Sequence, residues 1–509
     1  MSEEYPDPFR RFLITVPSMI ASTMVAVDIT IANVALPHMQ SSLLASQEQI
    51  LWVLTSYLIA AAIATPLSGW LASRFGRKRV MIISVAGFTI ASVLCGMSNS
   101  IHAMVMARAM QGACGAALIP LSQAILLDIN PPENYAKAMA IFSLGSMAGP
   151  IIGPTLGGWL TDAFSWRWVF FINVPFGILS FLGMLTFLYE SKSKEKMRFD
   201  LFGFMTVSIA LASFQLMLDR GEHLDWFESV EIQIYAVIMA LAAYLGVVHV
   251  MTAKGETFIK PELFRNRNFA IGCLLCAMVG VVAFATIPLI VVMTQTLLGY
   301  TAFRTGMVGL PRALGTLVAM LVVTRLSNRF DTRLLLGIGI AITGFSLLMY
   351  SHMDLYTDQD TLIIVGFIQG LGGGLIFVPL SVLVFSTLSH KLRNEGAAMY
   401  SLTRNIGNAV GISFLQRELI HFSAQSRAHL VEGVRPDSPS MHYSMPDFDF
   451  GSTESWSSIN MEIGRQASMV GNVEVYRLVF FLALGMLPLL LLMRGSSRRN
   501  DNEPMPVME

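Results

Sequence analysis

Long runs without any charged residue recur along the chain, at 50–73, 80–107, 138–161, 168–189, 201–218, 232–253, 268–303, 334–353 and 361–390. Polar residues gather between these runs instead of alternating within them. A helix needs about 20 apolar residues to cross a hydrocarbon core, and each run approaches or exceeds that length. In lipid every backbone amide must bond internally, so only helices or a closed barrel can span. The runs are too long and too uniformly apolar for barrel strands. The pattern predicts an all-α polytopic membrane protein.

Extending the runs to their polar edges gives fourteen spans, at 12–36, 50–72, 79–98, 102–127, 138–161, 167–189, 200–218, 232–253, 268–294, 303–324, 333–353, 361–387, 396–416 and 477–494. The last has the weakest pattern: only 478–493 is free of charge, with Arg477 and Arg494 placed to snorkel at its ends. Segment 417–476 before it is polar, carries Asp437, Asp447, Asp449 and Trp456, and shows no helical period until about 455, so it reads as a long outer loop.

Charge placement orients these spans. With the N-terminus and its Arg10 and Arg11 in the cytoplasm, the cytoplasmic segments collect 23 of the 34 Lys and Arg residues. The short outer loops hold only Arg167, Arg220 and Arg304. Both termini are therefore expected to be cytoplasmic. The first apolar segment is too long for a cleaved signal and lacks a small-residue cleavage pattern.

Composition agrees with the pattern. Of 509 residues, 54% are hydrophobic and 13% charged. That is about half the charged share of a soluble protein. The net charge of zero points to no nucleic acid or other polyanion. All four cysteines, Cys95, Cys114, Cys273 and Cys276, sit in apolar runs. Cys273 and Cys276 have no second pair or histidine near them, so they read as packing residues and no metal site is expected. No H-E-x-x-H, G-x-S-x-G or P-loop occurs, which argues against an enzyme.

The chain also repeats. "LASRF" at 71–75 matches "LSNRF" at 326–330, and "QGACGAALI" at 111–119 matches "QGLGGGLIF" at 369–377. Both pairs fall at equivalent places in two six-helix bundles. This gives an N-terminal bundle over 12–189, a linker with two extra helices over 190–253, and a C-terminal bundle over 254–494 that includes outer loop 417–476. Parallel six-helix repeats place a substrate site between the halves, near the midplane.

Three stretches carry charge or backbone features that an oily helix does not need. "VDITIANVALP", 27–37, holds Asp28, about 16 residues into the first span, or roughly 24 Å at about 1.5 Å per residue. It is the only acid placed well inside a span. "ARAMQGACGAALIP" holds Arg108, whose insertion costs at least ~2.5 kcal/mol unless it faces a cavity or a partner. Gln111 lies one turn on. "GSMAGPIIGPTLGGWL" holds Gly145, Gly149, Pro150, Gly153, Pro154, Gly157 and Gly158. Its glycines four apart form a smooth ridge for a closely approaching helix, and its prolines favour a bend. Between the second and third spans, "GWLASRFGRKR" sets Gly69, Ser73, Arg74, Gly76, Arg77 and Lys78 in a dense basic turn.

That turn resembles the signature loop of major facilitator proteins, Gly-x-Leu-Ala-Asp-Arg-x-Gly-Arg-Lys/Arg, with Ser73 where the family usually has Asp. The loop's charge contacts hold one conformation in that family, so Ser73 puts the lock tied to the Asp in question. The glycine-proline stretch resembles the antiporter signature of drug-exporting facilitators, which implies outward transport. "VDITIANVALP", "WRWVFFINVPFG" (166–177), "LDRGEHLDWF" (218–227), "LFRNRNF" (263–269), "GLPRALG" (309–315) and "RNIGNAVGIS" (404–413) extend the match over nearly the whole chain. It is similar to the EmrB/QacA-type fourteen-helix drug:proton antiporters, on the EmrB-like branch of Gram-negative bacteria.

The resemblance implies multidrug efflux of hydrophobic or amphiphilic small molecules from an inner membrane. The proton gradient would be the energy source, with no cofactor, and Arg108 would take part in proton transfer. It further implies a periplasmic EmrA-type adaptor joined to an outer-membrane channel. Desolvation favours the neutral form of a carboxyl and a nearby cation its charged form. A carboxyl whose surroundings alternate can thus load and release a proton, a role open to Asp28 with Arg108 tuning it. The alternative is an architectural Asp28 bonded to neighbouring hydroxyls or to Asn33. Candidate cavity residues are Asn33, Gln111, Arg312, Arg404 and Asn405; the arginines would attract anionic or weakly acidic substrates. An exporter dedicated to one metabolite or weak acid, and a non-transporting receptor, are the competing readings.

Overall fold

The computed structural model describes residues 6–189, 200–221, 224–253, 257, 260–326, 330–389, 392–434 and 452–493. The basic residues at 192–198 and the acids at 437, 447 and 449 lie outside these. The elements are α1 (Pro8–Ser42), α2 (Gln47–Phe75), α3 (Arg77–Met97), α4 (Ile101–Gly115), α5 (Leu118–Ile129), α6 (Tyr135–Ala163), α7 (Trp168–Phe171), α8 (Asn173–Phe187), α9 (Leu201–Gly221) and α10 (Val230–Thr252). They continue as α11 (Pro261–Arg265), α12 (Arg267–Val279), α13 (Thr286–Val292), α14 (Ala302–Leu326), α15 (Thr332–Tyr350), α16 (Gln359–Ser386), α17 (Arg393–Glu432) and α18 (Thr453–Leu491). No strand occurs among the described residues.

Twelve helical stretches among the described residues are long and apolar enough to cross a membrane. All fourteen expected spans are helical, but two are not among those twelve: 138–161 in α6 and 396–416 in α17. Helix α17 falls short because Arg404, Asn405 and Asn408 interrupt its apolar run. Part of α6 has side chains outside the described set.

The outer loop expected at 417–476 is corrected. Helix α17 continues to Glu432 and α18 starts at Thr453, so most of the segment is an antiparallel helical hairpin. Arg427 Nη2 donates to Asn460 Oδ1 at 2.8 Å across it. Gly471 lets α18 lie against Leu419 and Ser423 of α17. Ser423, Arg427, Asn460 and Gly471 stand among the apolar residues of this contact line and break its apolar period.

Helices α1–α8 and α12–α18 form two halves. They meet where α2 packs on α17 and where α6 packs on α14. Helix α9 packs against both α2 and α17, and α10 packs against α9. Helix α10 buries only Ile232, Ala242 and Gly246, leaving its other apolar side chains for lipid. The stretch 267–297 is interrupted by π-helical turns at Gly280–Phe284 and Met293–Leu297. Such turns free backbone carbonyls and concentrate at functional sites.

Candidate functional site

Asp28 is wholly buried, with 0% exposure, in the half of α1 away from the 69–79 turn. Four side chains surround it. Arg108 Nη1 donates to Asp28 Oδ2 at 2.7 Å. Gln111 Nε2 and Asn173 Nδ2 both donate to Oδ1, at 2.9 and 2.8 Å. Ser92 Oγ accepts from both amides and donates to the Phe170 carbonyl. Arg108 is spread over further acceptors, the Gln111 Oε1 at 2.8 Å and the Val53 carbonyl at 3.1 Å, with its guanidinium 4.3 Å from the Tyr57 ring centroid. Residues from α1, α2, α3, α4 and α8 therefore converge on one carboxylate. Removing one partner of such a buried pair costs about 3–5 kcal/mol, because the other charge is left uncompensated. The Asn33 bond of the alternative, architectural reading is not made; Asn33 lines the cavity instead.

That cavity, about 500 Å³, lies between the halves. Val25, Ile29 and Asn33 of α1, Leu54 to Thr65 of α2, and Ser401 to Gln416 of α17 line it. Tyr57 and Arg108 form the part of the wall behind which Asp28 sits. Asn405 also lines the cavity, as expected, whereas Gln111 lies behind the wall and neither Arg312 nor Arg404 reaches the lining. Arg404 donates to Ser401 Oγ at 3.4 Å, and Arg312 donates to the Ala283 carbonyl at 2.5 Å.

The extra helix α9 contributes Leu211, Phe214, Gln215, Leu218 and Asp219 to the wall. Asp219 bonds Thr55 of α2, and Ser413 of α17 donates to the Leu218 carbonyl at 3.2 Å. An inserted helix thus closes the side of the cavity between the halves. The span expected at 200–218 stops just short of Asp219, and the sequence motifs assign α9 no part in the site. The signal that pointed there was the polar and aromatic content of 214–219 within an otherwise apolar run.

The glycine ridge on α6 meets α1. Gly145 lies against Met19 and Thr23, Gly149 against the Ala26 backbone, Gly153 against Thr30, and Gly157 against Ile31. Thr30 Oγ1 donates to the Gly149 carbonyl at 2.8 Å. Side chains at these glycines would push away the helix that carries Asp28. Gly158 lies at the same end of the ridge. Pro150 and Pro154 are within α6, with side chains outside the described residues.

The 69–79 turn lies at the opposite end. Gly76, at φ 91°, joins α2 directly to α3, a backbone conformation suited to glycine. Gly69 is buried and Arg74 exposed. Lys78 Nζ donates to the Leu185 carbonyl near the end of α8 at 2.8 Å. Ser73 Oγ donates to Glu395 Oε1 of α17 at 3.0 Å, and Lys260 Nζ stands 3.2 Å from the same oxygen. Arg77 pairs with Asp128, whose other oxygen lies 3.2 Å from Arg393 Nη1. Arg393 Nη2 donates to the Tyr135 hydroxyl at 2.6 Å. The acid absent at position 73 is therefore supplied from the other half, by Glu395. Sequence reading missed this, because Glu395 carries no motif signal of its own. These bonds tie the halves together at the basic end, and the cavity lies beyond them.

Among the described residues no group of His, Cys, Asp and Glu is arranged to hold a metal ion.

Comparison with known proteins agrees with this architecture. The family model of the Major Facilitator Superfamily matches residues 18–412. The multidrug export protein EmrB of Escherichia coli (strain K12) is 32% identical over 489 residues, covering 93% of this chain and 94% of that protein. The fatty acid resistance protein FarB of Neisseria gonorrhoeae is 30% identical over 488 residues, covering 94% of each. In fold, the chain is similar to the crystal structure of the human organic anion transporter MFSD10 (TETRAN), with a TM-score of 0.57 at 13% identity over 94% of this chain and 100% of that one. With Asp28 and Arg108 beside a cavity between two six-helix halves, and a family match across both, the chain belongs to the Major Facilitator Superfamily, among the relatives of EmrB.

Proposed function

We propose that this integral membrane protein exports hydrophobic and amphiphilic small molecules in exchange for protons, by alternating access, with Asp28 as the proton carrier. The observation that carries this reading is the Asp28–Arg108 pair, sealed directly behind the cavity wall at 2.7 Å. A proton arriving at Asp28 cancels the charge that Arg108 holds. Arg108 and the Tyr57 ring over which it lies then lose their anchor, and the wall is free to rearrange. Helix α1 transmits the change to α6 through the glycine ridge. Helices with small contact residues slide without large side chains to disengage. At the other end, Ser73, Glu395, Arg77, Asp128 and Arg393 hold the halves shut until the cavity state changes. Named relatives that are multidrug export proteins support the direction and the substrate class. Nothing in this cycle calls for catalysis or a cofactor; the proton gradient drives it.

The excess of Lys and Arg at the end bearing the 69–79 turn supports a cytoplasmic position for that end. In this reading both termini are cytoplasmic, the cavity faces outward in this state, and the membrane is an inner membrane, in keeping with the family resemblance. The α17–α18 hairpin projects on the periplasmic side. Its α17 arm, 417–432, reaches about 24 Å beyond the span at about 1.5 Å per residue. It offers a surface to an EmrA-type adaptor and, through it, an outer-membrane channel.

The test is Asp28→Asn in inverted membrane vesicles. Substrate addition releases protons from energised wild-type vesicles. In the variant this release is expected to vanish while protein level and substrate binding persist. Proton release at the wild-type rate would refute the assignment.

A further inference from the structure

The C-terminal half buries a second arginine under different terms. Arg312 stands on the stripe of α14 that holds Thr305, Val308, Thr316 and Ala319, all buried, and opposite the lipid-facing stripe of Leu310, Leu314, Leu317 and Leu321. It is half-buried, so its remaining exposure is toward the protein interior and not the lipid. Its one side-chain bond among the described residues is to the Ala283 carbonyl, in the π-turn of the 267–297 helix. No carboxylate among the described residues pairs with it. A guanidinium carries five donors in a fixed fork suited to a carboxylate or similar anion. Here most of that fork faces no acid of the protein.

The polar groups around it are also incomplete. Gly366 brings α16 into ordinary contact with this region: a Cβ there would lie 3.6 Å from the Tyr350 hydroxyl and 4.0 Å from Arg312 Cβ. Tyr350 stacks on Tyr476 with ring centroids 5.0 Å apart. The Tyr476 hydroxyl, a potential donor, is buried and has no hydrogen-bond partner among the described residues, and the Gln369 amide nitrogen, with two N–H donors, makes one long contact of 3.5 Å to Thr286 Oγ1. Buried polar groups without partners are rare in native structures, and each calls for an explanation.

We propose that the C-terminal half carries an anion-accepting subsite, built on Arg312 with Tyr476 and Gln369, for the carboxylate or comparable head group of a transported amphiphile. The substrate arrives through the same cycle, so the physiological meaning of the subsite rests on the export reading; its existence does not. The anion supplies the counter-charge that the fold withholds. Asp28 in the other half needs no such ligand because its own partners complete it. The two halves would thereby divide the work, one handling the proton and the other the head group.

The test measures equilibrium binding to the purified full-length protein, which separates this proposal from transport. The probes are a fluorescent long-chain carboxylate, its neutral methyl ester and a lipophilic cationic dye. Wild type should bind the carboxylate more tightly than the ester. Arg312→Gln should weaken carboxylate binding about tenfold and leave the ester and the dye unchanged, with Arg312→Lys in between. Thr286→Asp offers a second route should Arg312→Gln fail to fold. Thr286 Oγ1 donates to the same Ala283 carbonyl as Arg312, at 3.2 Å, so an acid there gives Arg312 an internal partner and should also weaken carboxylate binding. Equal loss of all three probes, or no preference of wild type for the carboxylate over the ester, would overturn the subsite. So would chloride competing as well as the carboxylate, which would make the occupant an inorganic ion. Loss of transport with binding intact would fault the export reading alone.

Discussion

In the N-terminal half, Gln111 sits between Arg108 and Asp28, accepting from one at 2.8 Å and donating to the other at 2.9 Å. In the C-terminal half Gln369, 258 positions later, makes one long contact of 3.5 Å to Thr286 and leaves its oxygen without a partner. The same offset carries Asp28 onto Thr286, and Gly149 and Gly153 onto Gly407 and Gly411, which lie against the 267–297 helix as the α6 ridge lies against α1. Both copies share the packing scheme, while only one carries the acid. A repeat holds its helices together through small residues at contact lines, and these tolerate little change. Its buried charges are free to diverge, because each costs energy unless function retains it. The difference teaches where to look: a satisfied network marks an internal switch, and an unsatisfied one marks a place for something from outside.

The sharpest way to break this comparison is to unbalance the satisfied half. Arg108→Gln leaves Asp28 buried without its cation and should destabilise the purified protein by about 3–5 kcal/mol. The double variant Arg108→Gln with Asp28→Asn should recover most of that loss, since neither charge then remains. Thermal unfolding in detergent, read by tryptophan fluorescence, measures both. Equal stability of single and double variants would mean that the pair is not coupled in the folded protein.

A smaller effect sharpens the contrast between the two glutamines. Gln111→Leu removes hydrogen bonds to charged groups, worth about 1.5–3 kcal/mol each. Gln369→Leu removes a single weak contact and a buried unpartnered oxygen, so it should be near neutral or mildly stabilising in the absence of ligand. If the subsite reading holds, Gln369→Leu should nonetheless loosen binding of the carboxylate probe. The two leucine variants, compared by unfolding and by binding, should therefore rank in opposite orders.

Much of this was legible in the chain. Hydrophobic runs and Lys/Arg placement identified the helices, and the inward-facing Asp28, Arg108 and glycine ridge stood out because each is expensive or unusual in an apolar helix. What was not legible depended on contacts between distant segments. Glu395 supplies the acid missing at Ser73, but nothing in its local sequence links it to residue 73. The 417–476 segment concealed two helix extensions, because Ser423, Gly471 and Arg427 break the apolar period along their contact line. The polar content of α17 reads as a poor span until the cavity that Asn405 faces is known.

The smallest predicted effect concerns the cavity that both halves share. Among the described residues its lining contains one carboxylate, Asp219, brought there by the inserted helix α9 and bonded to Thr55. Around it are Leu54, Leu211, Phe214, Leu218 and Ile412, which suit the apolar body of a ligand. Arg108 is the other charged residue of the lining, and Asp28 already answers it. A carboxylate on this wall favours cations, through a charge interaction that the open cavity's water weakens to about 1 kcal/mol at contact distance. Asp219→Asn keeps the size and the ability to accept from Thr55 while removing the charge. Export of the lipophilic cationic dye should fall about fivefold at low concentration, with the neutral ester unchanged and carboxylate export unchanged or improved. That result would place cation preference on α9, at a different position from the anion preference proposed for α14. A uniform fall for all three would instead make Asp219 a clasp between α9 and α2, and would leave Arg312 as the only charge selector in the comparison.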